Sequence, residues 1–195
     1  MNYSLPIYND IGSTPYYFIG NQSLLTCSPI AVYCSREIPL SIYHTVNETF
    51  TEILRRPIVI GGGWQSTMEK RALRNYSKES QANIIYFLAK GIGNFKIPVY
   101  LSSIMASGRL LIVSPLLNNF RIDKKHVAIR DDLIFNLVDR FLFLYIKPDG
   151  HLEGLFTRCL YNDKEVYLLE HTANSGYLID KVKTLHSKNL RELSI

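Results

Sequence analysis

Cysteine is scarce in this chain, and the few cysteines present form no framework. Cys27, Cys34 and Cys159 are the only three in 195 residues, an odd and widely spaced set without a C-x-x-C pair. That pattern argues against a disulfide-stapled fold and against a zinc site, and it fits a reducing compartment. The histidines lack a metal pattern too. His44, His126, His151, His171 and His186 form neither H-E-x-x-H nor an i,i+4 pair, so no metal is expected. Ser66 and Ser175 stand outside any nucleophile-elbow context. Long apolar runs are missing: the strongest, residues 141–146, is far short of a membrane span. The opening Met1-Asn2-Tyr3-Ser4 has no basic or apolar leader pattern. A cytoplasmic protein without a membrane partner is therefore expected. The dinucleotide fingerprint G-x-G-x-x-G is absent as well, because Gly63 is followed by Trp64, Gln65 and Ser66. No standard NAD site, and no cofactor, is expected.

The sequence does contain a large apolar fraction, 47%, over a length that suits one domain with a real core. Its net charge of +5 favours polyanionic partners. No internal repeat, low-complexity tract or linker interrupts it.

The stretch from Ile58 to Gly63 organises the chain. Residues 57–60 are apolar on both faces, as in a parallel strand covered by helices, and they run into Gly61, Gly62 and Gly63. Glycines there can take positive φ and let a ligand approach the backbone. Ser66 or Thr67 can cap the next helix, with Glu69 completing a capping box after Ser66. Free N–H groups at such a helix start attract anions. A tight strand-to-helix turn without a ligand is the alternative.

Further strands are predicted at residues 30–33, 84–88, 110–113, 141–146 and 165–169. Between them, Ile42, Val46, Phe50, Ile53 and Leu54 share a helical face that Pro57 ends, and Met68, Ala72, Leu73 and Tyr76 mark a second helix. Pro98 can open a third, ending at Gly108. A fourth is predicted from residue 128 to 138 and a fifth after Lys147-Pro148-Asp149-Gly150-His151. Residues 1–29, rich in proline, glycine and tyrosine, read as an irregular lead-in packed on a domain spanning 30–195. Residues 118–125 read as a loop, and the tail from Gly176 as an amphipathic helix. Ser35 and Arg36 fall at a strand's C-terminal end, where open α/β sheets bind ligands, although a surface turn fits the same residues.

The order of these signals resembles the Rossmann-like domain of the DNA-processing protein A (DprA/Smf) family, within the SLOG group that includes the Lonely Guy proteins. Pro15-Tyr16-Tyr17-Phe18-Ile19-Gly20-Asn21 with Leu24-Leu25 is similar to the family's lead-in. Ile30-Ala31-Val32-Tyr33-Cys34-Ser35-Arg36 matches its first strand and Gly-Ser-Arg turn, with Cys34 in place of glycine. Gly61, Gly62 and Gly63 with Met68 look like the glycine turn of the Lonely Guy proteins. Arg130-Asp131-Asp132-Leu133-Ile134 stands where the family carries Arg-Asn-Arg-x-Ile, and Asp149-Gly150-His151-Leu152 where it carries Ser-Gly-x-Leu. The changes at Cys34 and Asp132 bear on ligand affinity rather than fold. The winged-helix module that many members carry after this domain is expected to be missing.

The resemblance implies a Rossmann-like doubly wound, mostly parallel sheet flanked by helices. It also implies a DNA-binding protein of recombination that holds single-stranded DNA or nucleotide phosphates at the strand C-terminal edge, with a recombinase as partner. Ser35, Arg36, Gly61, Gly62, Gly63, Gln65, Thr67, Arg130, Asp149, Gly150 and His151 are the expected phosphate-binding residues. Lys70, Arg71, Arg74, Arg121 and Lys124 are expected to add charge to a nucleic-acid groove. Removing Arg130 is expected to affect binding rather than stability. A SLOG-type sensor of a free nucleotide or NAD-derived signal is the alternative, and a homodimer is left open. A Lonely Guy-like phosphoribohydrolase is the third reading. Asp149 or Glu153 would be its acid, but no second catalytic partner is visible, so a binding protein is favoured over an enzyme.

Overall fold

Alternation along one strand explains the layering of the whole molecule. Ile30, Val32 and Cys34 send their side chains into one apolar core, while Ala31 and Tyr33 enter a second core on the opposite side of the sheet. The computed structural model describes residues 7–11, 14–77, 79–93, 95–118 and 122–193. Among them the strands are β1 (Ile7–Ile11), β2 (Thr14–Gly20), β3 (Ile30–Cys34), β4 (Val59–Gly62) and β5 (Asn83–Phe87). They continue with β6 (Leu110–Ser114), β7 (Arg140–Tyr145), β8 (Glu165–Leu169) and β9 (Lys183–Leu185). All join one sheet in the order β1-β2-β6-β5-β4-β3-β7-β8-β9. Pairing is parallel from β6 through to β9 and antiparallel at β1–β2 and β2–β6.

The first core is covered by α1 (Leu40–Leu54), α2 (Thr67–Arg74) and α3 (Val99–Ala106). The second lies under α4 (Lys124–Leu137) and α5 (His151–Tyr161). The predicted doubly wound α/β fold is therefore the observed one. Ile42, Val46, Phe50, Ile53 and Leu54 are all buried along α1, as their spacing requires. No helix among the described residues is long and apolar enough to cross a membrane.

Three local expectations are corrected. The lead-in is not irregular: β1 and β2 form a hairpin that extends the sheet past β6, with Phe18 opposite Val113 and Ile19 opposite Ile112. Pro15 is tolerated because β2 begins to pair with β6 only at Tyr17, so no ladder bond to β6 is lost. The tail is not a helix. It forms a 3-10 turn (Thr172–Tyr177), β9 and a last 3-10 turn (Arg191–Leu193). Strand β9 pairs the outer edge of β8, which a helix would leave without hydrogen bonds. Lys124 and Lys125 are not loop either: they open α4, which Asp123 caps by accepting from the His126 N–H at 2.9 Å. Arg121 lies outside the described residues.

Candidate functional site

Strands β3 and β7 are neighbours, but the chain leaves β3 for α1 on one face and leaves β7 for α5 on the other. Their C-terminal ends therefore part, and a crevice opens at the topological switch point. A cleft of about 670 Å³ occupies it. The β3–β7 register shifts between Tyr33 and Cys34, so Ser35 N–H reaches Tyr145 C=O at 3.0 Å. Lys147 N–H donates to Ser35 Oγ at 2.9 Å, which ties the two diverging loops together across the crevice. Gly150 is the N-cap of α5 and supplies no side-chain cap. A Cβ there would stand 2.8 Å from Lys147 C=O, so only glycine fits.

The glycine turn works by space rather than by positive φ. Gly61 and Gly62 are the last two residues of β4. A Cβ on Gly61 would meet the Phe87 ring at 3.0 Å, and one on Gly62 would meet Val32 C=O at 3.0 Å. The residue with positive φ is Trp64, at 52°. Its buried indole Nε1–H donates to Ile85 C=O at 3.0 Å, which holds the turn against β5.

The helix start beyond the turn already holds a carboxyl group, supplied by the chain itself. Glu69 completes the predicted capping box on Ser66. Its Oε1 accepts the Cys34 N–H at 2.9 Å, and its Oε2 accepts the N–H groups of Gln65 at 2.6 Å and Ser66 at 3.1 Å. The N–H groups expected to receive a phosphate are thus taken by a buried carboxylate. Burial pushes the Glu69 carboxyl above its ordinary range, and the three N–H donors oppose that rise.

Arg130 sits two turns into α4 rather than at its opening, and it is buried. Its Nε and Nη2 donate to Asp131 Oδ1 at 2.9 and 2.7 Å. The other oxygen of Asp131 lies 2.8 Å from Nε2 of His151, whose side chain is 65% exposed. Nη1 of Arg130 packs over Gly63 and has no hydrogen-bond partner. The hydroxyl of Tyr33, also in the cleft wall, is likewise buried without a partner. Burial first, and then the Asp131 carboxylate, push the Tyr33 phenol well above its ordinary range, so it remains an O–H donor. Two buried donors in one wall therefore lack acceptors.

Of the expected phosphate-binding residues, Ser35, Arg36, Gly63, Gln65, Arg130, Gly150 and His151 line the cleft. Gly61, Gly62, Thr67 and Asp149 do not. Gln65 folds back, its side-chain N–H donating to Gly63 C=O at 2.7 Å. Lys124 lines the cleft, but Lys70, Arg71 and Arg74 do not, and Arg71 instead donates to the Tyr43 hydroxyl of α1 at 2.5 Å. Sequence reasoning missed Asp131, Lys147 and Tyr33, and it read Glu69 only as a cap. Asp131 adjoins Arg130 in the sequence, but its contact with His151 lies twenty residues away and had no local signal. Glu153, considered as an acid, accepts from Asp149 N–H at 2.8 Å and from the Tyr177 hydroxyl at 2.9 Å, outside the cleft lining.

No family model matches this chain, and no curated protein sequence matches it. Solved structures do. DNA processing protein A from Helicobacter pylori, described for its single-stranded DNA binding mode, superimposes with a TM-score of 0.70 at 18% identity, over 97% of this chain and 93% of that one. This chain has the fold of DprA. DprA from Streptococcus pneumoniae superimposes with a TM-score of 0.69 at 17% identity, over 88% of this chain and 62% of that one. The likeness to DprA runs through the hairpin and the tail as well as the predicted strands, since it spans nearly the whole chain. Against that DprA-like frame, the charged cleft residues among those described balance: Arg36, Lys124, Arg130 and Lys147 face Glu37, Asp123, Glu69 and Asp131.

Proposed function

We propose that the chain binds single-stranded DNA, with a backbone phosphate held in the cleft between β3 and β7. The observation that carries this reading is the buried Nη1 of Arg130, a charged donor without an acceptor in the wall of the switch-point cleft. An unpaired buried N–H of this kind costs free energy that a phosphate oxygen would offset. The unpartnered Tyr33 hydroxyl supports the same ligand. So do the uncapped start of α5 at Gly150 and the net charge of +5. The DprA-like fold adds the polymer: the H. pylori protein of that fold binds single-stranded DNA. The cytoplasm as the site of action fits the exposed, unpaired Cys27. A recombinase receiving the strand, and a homodimer, rest on the likeness of fold alone.

Fluorescence anisotropy with a labelled oligothymidylate tests the proposal. Affinity should fall with salt by about 0.7 log units per log unit of salt for each phosphate contacted. A mononucleotide that binds as well as the oligomer, with little salt dependence, would instead favour the nucleotide-sensor reading.

A further inference from the structure

The buried part of the cleft wall has a charge balance of its own. Arg130 is a single cation, and two carboxylates share its surroundings: Asp131, paired to it directly, and Glu69, whose oxygens both act as acceptors. All three residues are 5% exposed. Two carboxyl groups face one guanidinium here, so the buried wall holds no surplus cation. Charges in a buried wall are weakly screened, unlike the exposed pair of Lys147 with Glu37 at the rim.

Resting on the reading that a phosphate occupies this cleft, we infer that the site selects phosphodiesters, which carry one negative charge, over terminal phosphate monoesters, which carry nearly two. A phosphodiester oxygen can accept from the one guanidinium N–H left without a partner, Nη1 of Arg130, while the Tyr33 hydroxyl offers a neutral hydrogen bond. A second negative charge has no cation in the buried wall to meet, and it faces Asp131 and Glu69. Asp131 is thus both a positioning residue, holding the Arg130 fork by its Oδ1, and the group that sets the charge tolerance of the site. The cleft is suited to the interior of a strand and discriminates against free nucleotides and phosphorylated ends.

The test is calorimetric titration with thymidine 5′-monophosphate and with its methyl phosphodiester at about pH 8, where the monoester is close to a dianion. An oligothymidylate is titrated in parallel. The diester should bind more tightly by about tenfold or more. Asp131→Asn, which removes one wall charge, should narrow the gap by strengthening the monoester. His151→Lys, at an exposed side chain, adds a fixed cation beside Asp131 and should narrow it too, even if Asp131→Asn proves too unstable to assay. A monoester that binds as tightly as the diester, or a gap untouched by both variants, overturns the inference. So does an oligomer that binds while neither small ligand does. If the methyl diester binds preferentially but the oligomer does not bind, the strand-binding reading fails and the charge selection stands.

Discussion

Arg130 and Gly63 compete for the same space: a Cβ on residue 63 would stand 2.4 Å from Nη1 of the guanidinium. The absence of a side chain at 63 is what lets a helix on one face place its arginine against the end of β4. Gly63→Ala should therefore displace Arg130 from Asp131, with an overpacking cost of about 1–3 kcal/mol. Oligothymidylate affinity should fall along with the melting temperature. Unchanged affinity in a folded Gly63→Ala protein would show that the strand does not use Arg130.

Arg130 itself cannot be removed without affecting stability. Arg130→Ala leaves Asp131 buried with only the exposed His151 as partner, and breaking a buried pair costs about 3–5 kcal/mol. The buried pair thus argues for a stability loss beside the binding loss, where the sequence led us to expect an effect on binding alone. Arg130→Lys keeps the charge but lacks the planar fork, so thermal melts should show a smaller loss while anisotropy still shows weakened binding. Equal binding by Arg130→Lys and the wild type would rule out a bidentate role.

Asn174 is the buried clamp between the ends of β7 and β8. Its side-chain N–H groups donate to Leu144 C=O at 3.0 Å and Leu169 C=O at 2.9 Å, and its Oδ1 accepts the Ile146 N–H at 3.3 Å. Asn174→Ala strands these groups out of reach of water and should cost about 2–3 kcal/mol in a denaturant titration. A loss within experimental error would mean that the backbone re-pairs locally.

The cysteines should separate cleanly in reactivity. Burial raises the Cys34 thiol far above its ordinary range and pushes Cys159 up to about 12, the latter against the pull of Lys164 and Arg158. Cys27 is exposed. Iodoacetamide on the native protein should therefore label Cys27 first, and the other two only on unfolding. Peptide mapping that finds Cys34 alkylated as fast as Cys27 would contradict the packing of the β3 end.

Much of the fold was legible because burial imposes local patterns. Residues such as Ile30 to Cys34, covered on both faces, had to be apolar throughout, and α1 had to repeat its apolar side chains at helical spacing. The glycine turn and the Ser66–Glu69 box were legible for the same reason, since a cap and its partner lie three residues apart. The hairpin of β1 and β2 was not, because its reason to exist is the free edge of β6 some ninety residues away. The site was only half visible. Sequence alone placed Ser35, Arg36, Gly63 and His151 at strand ends and helix starts, because topology brings such positions to one edge, whereas Arg130 reaches the cleft from two turns into α4. Only the tertiary structure decided which charges meet there. Glu69 reaches the Cys34 N–H across 35 residues, and Lys147 N–H reaches Ser35 across 112. Such pairings depend on how helices seat on the sheet to within an ångström, and no local pattern of residue types encodes that.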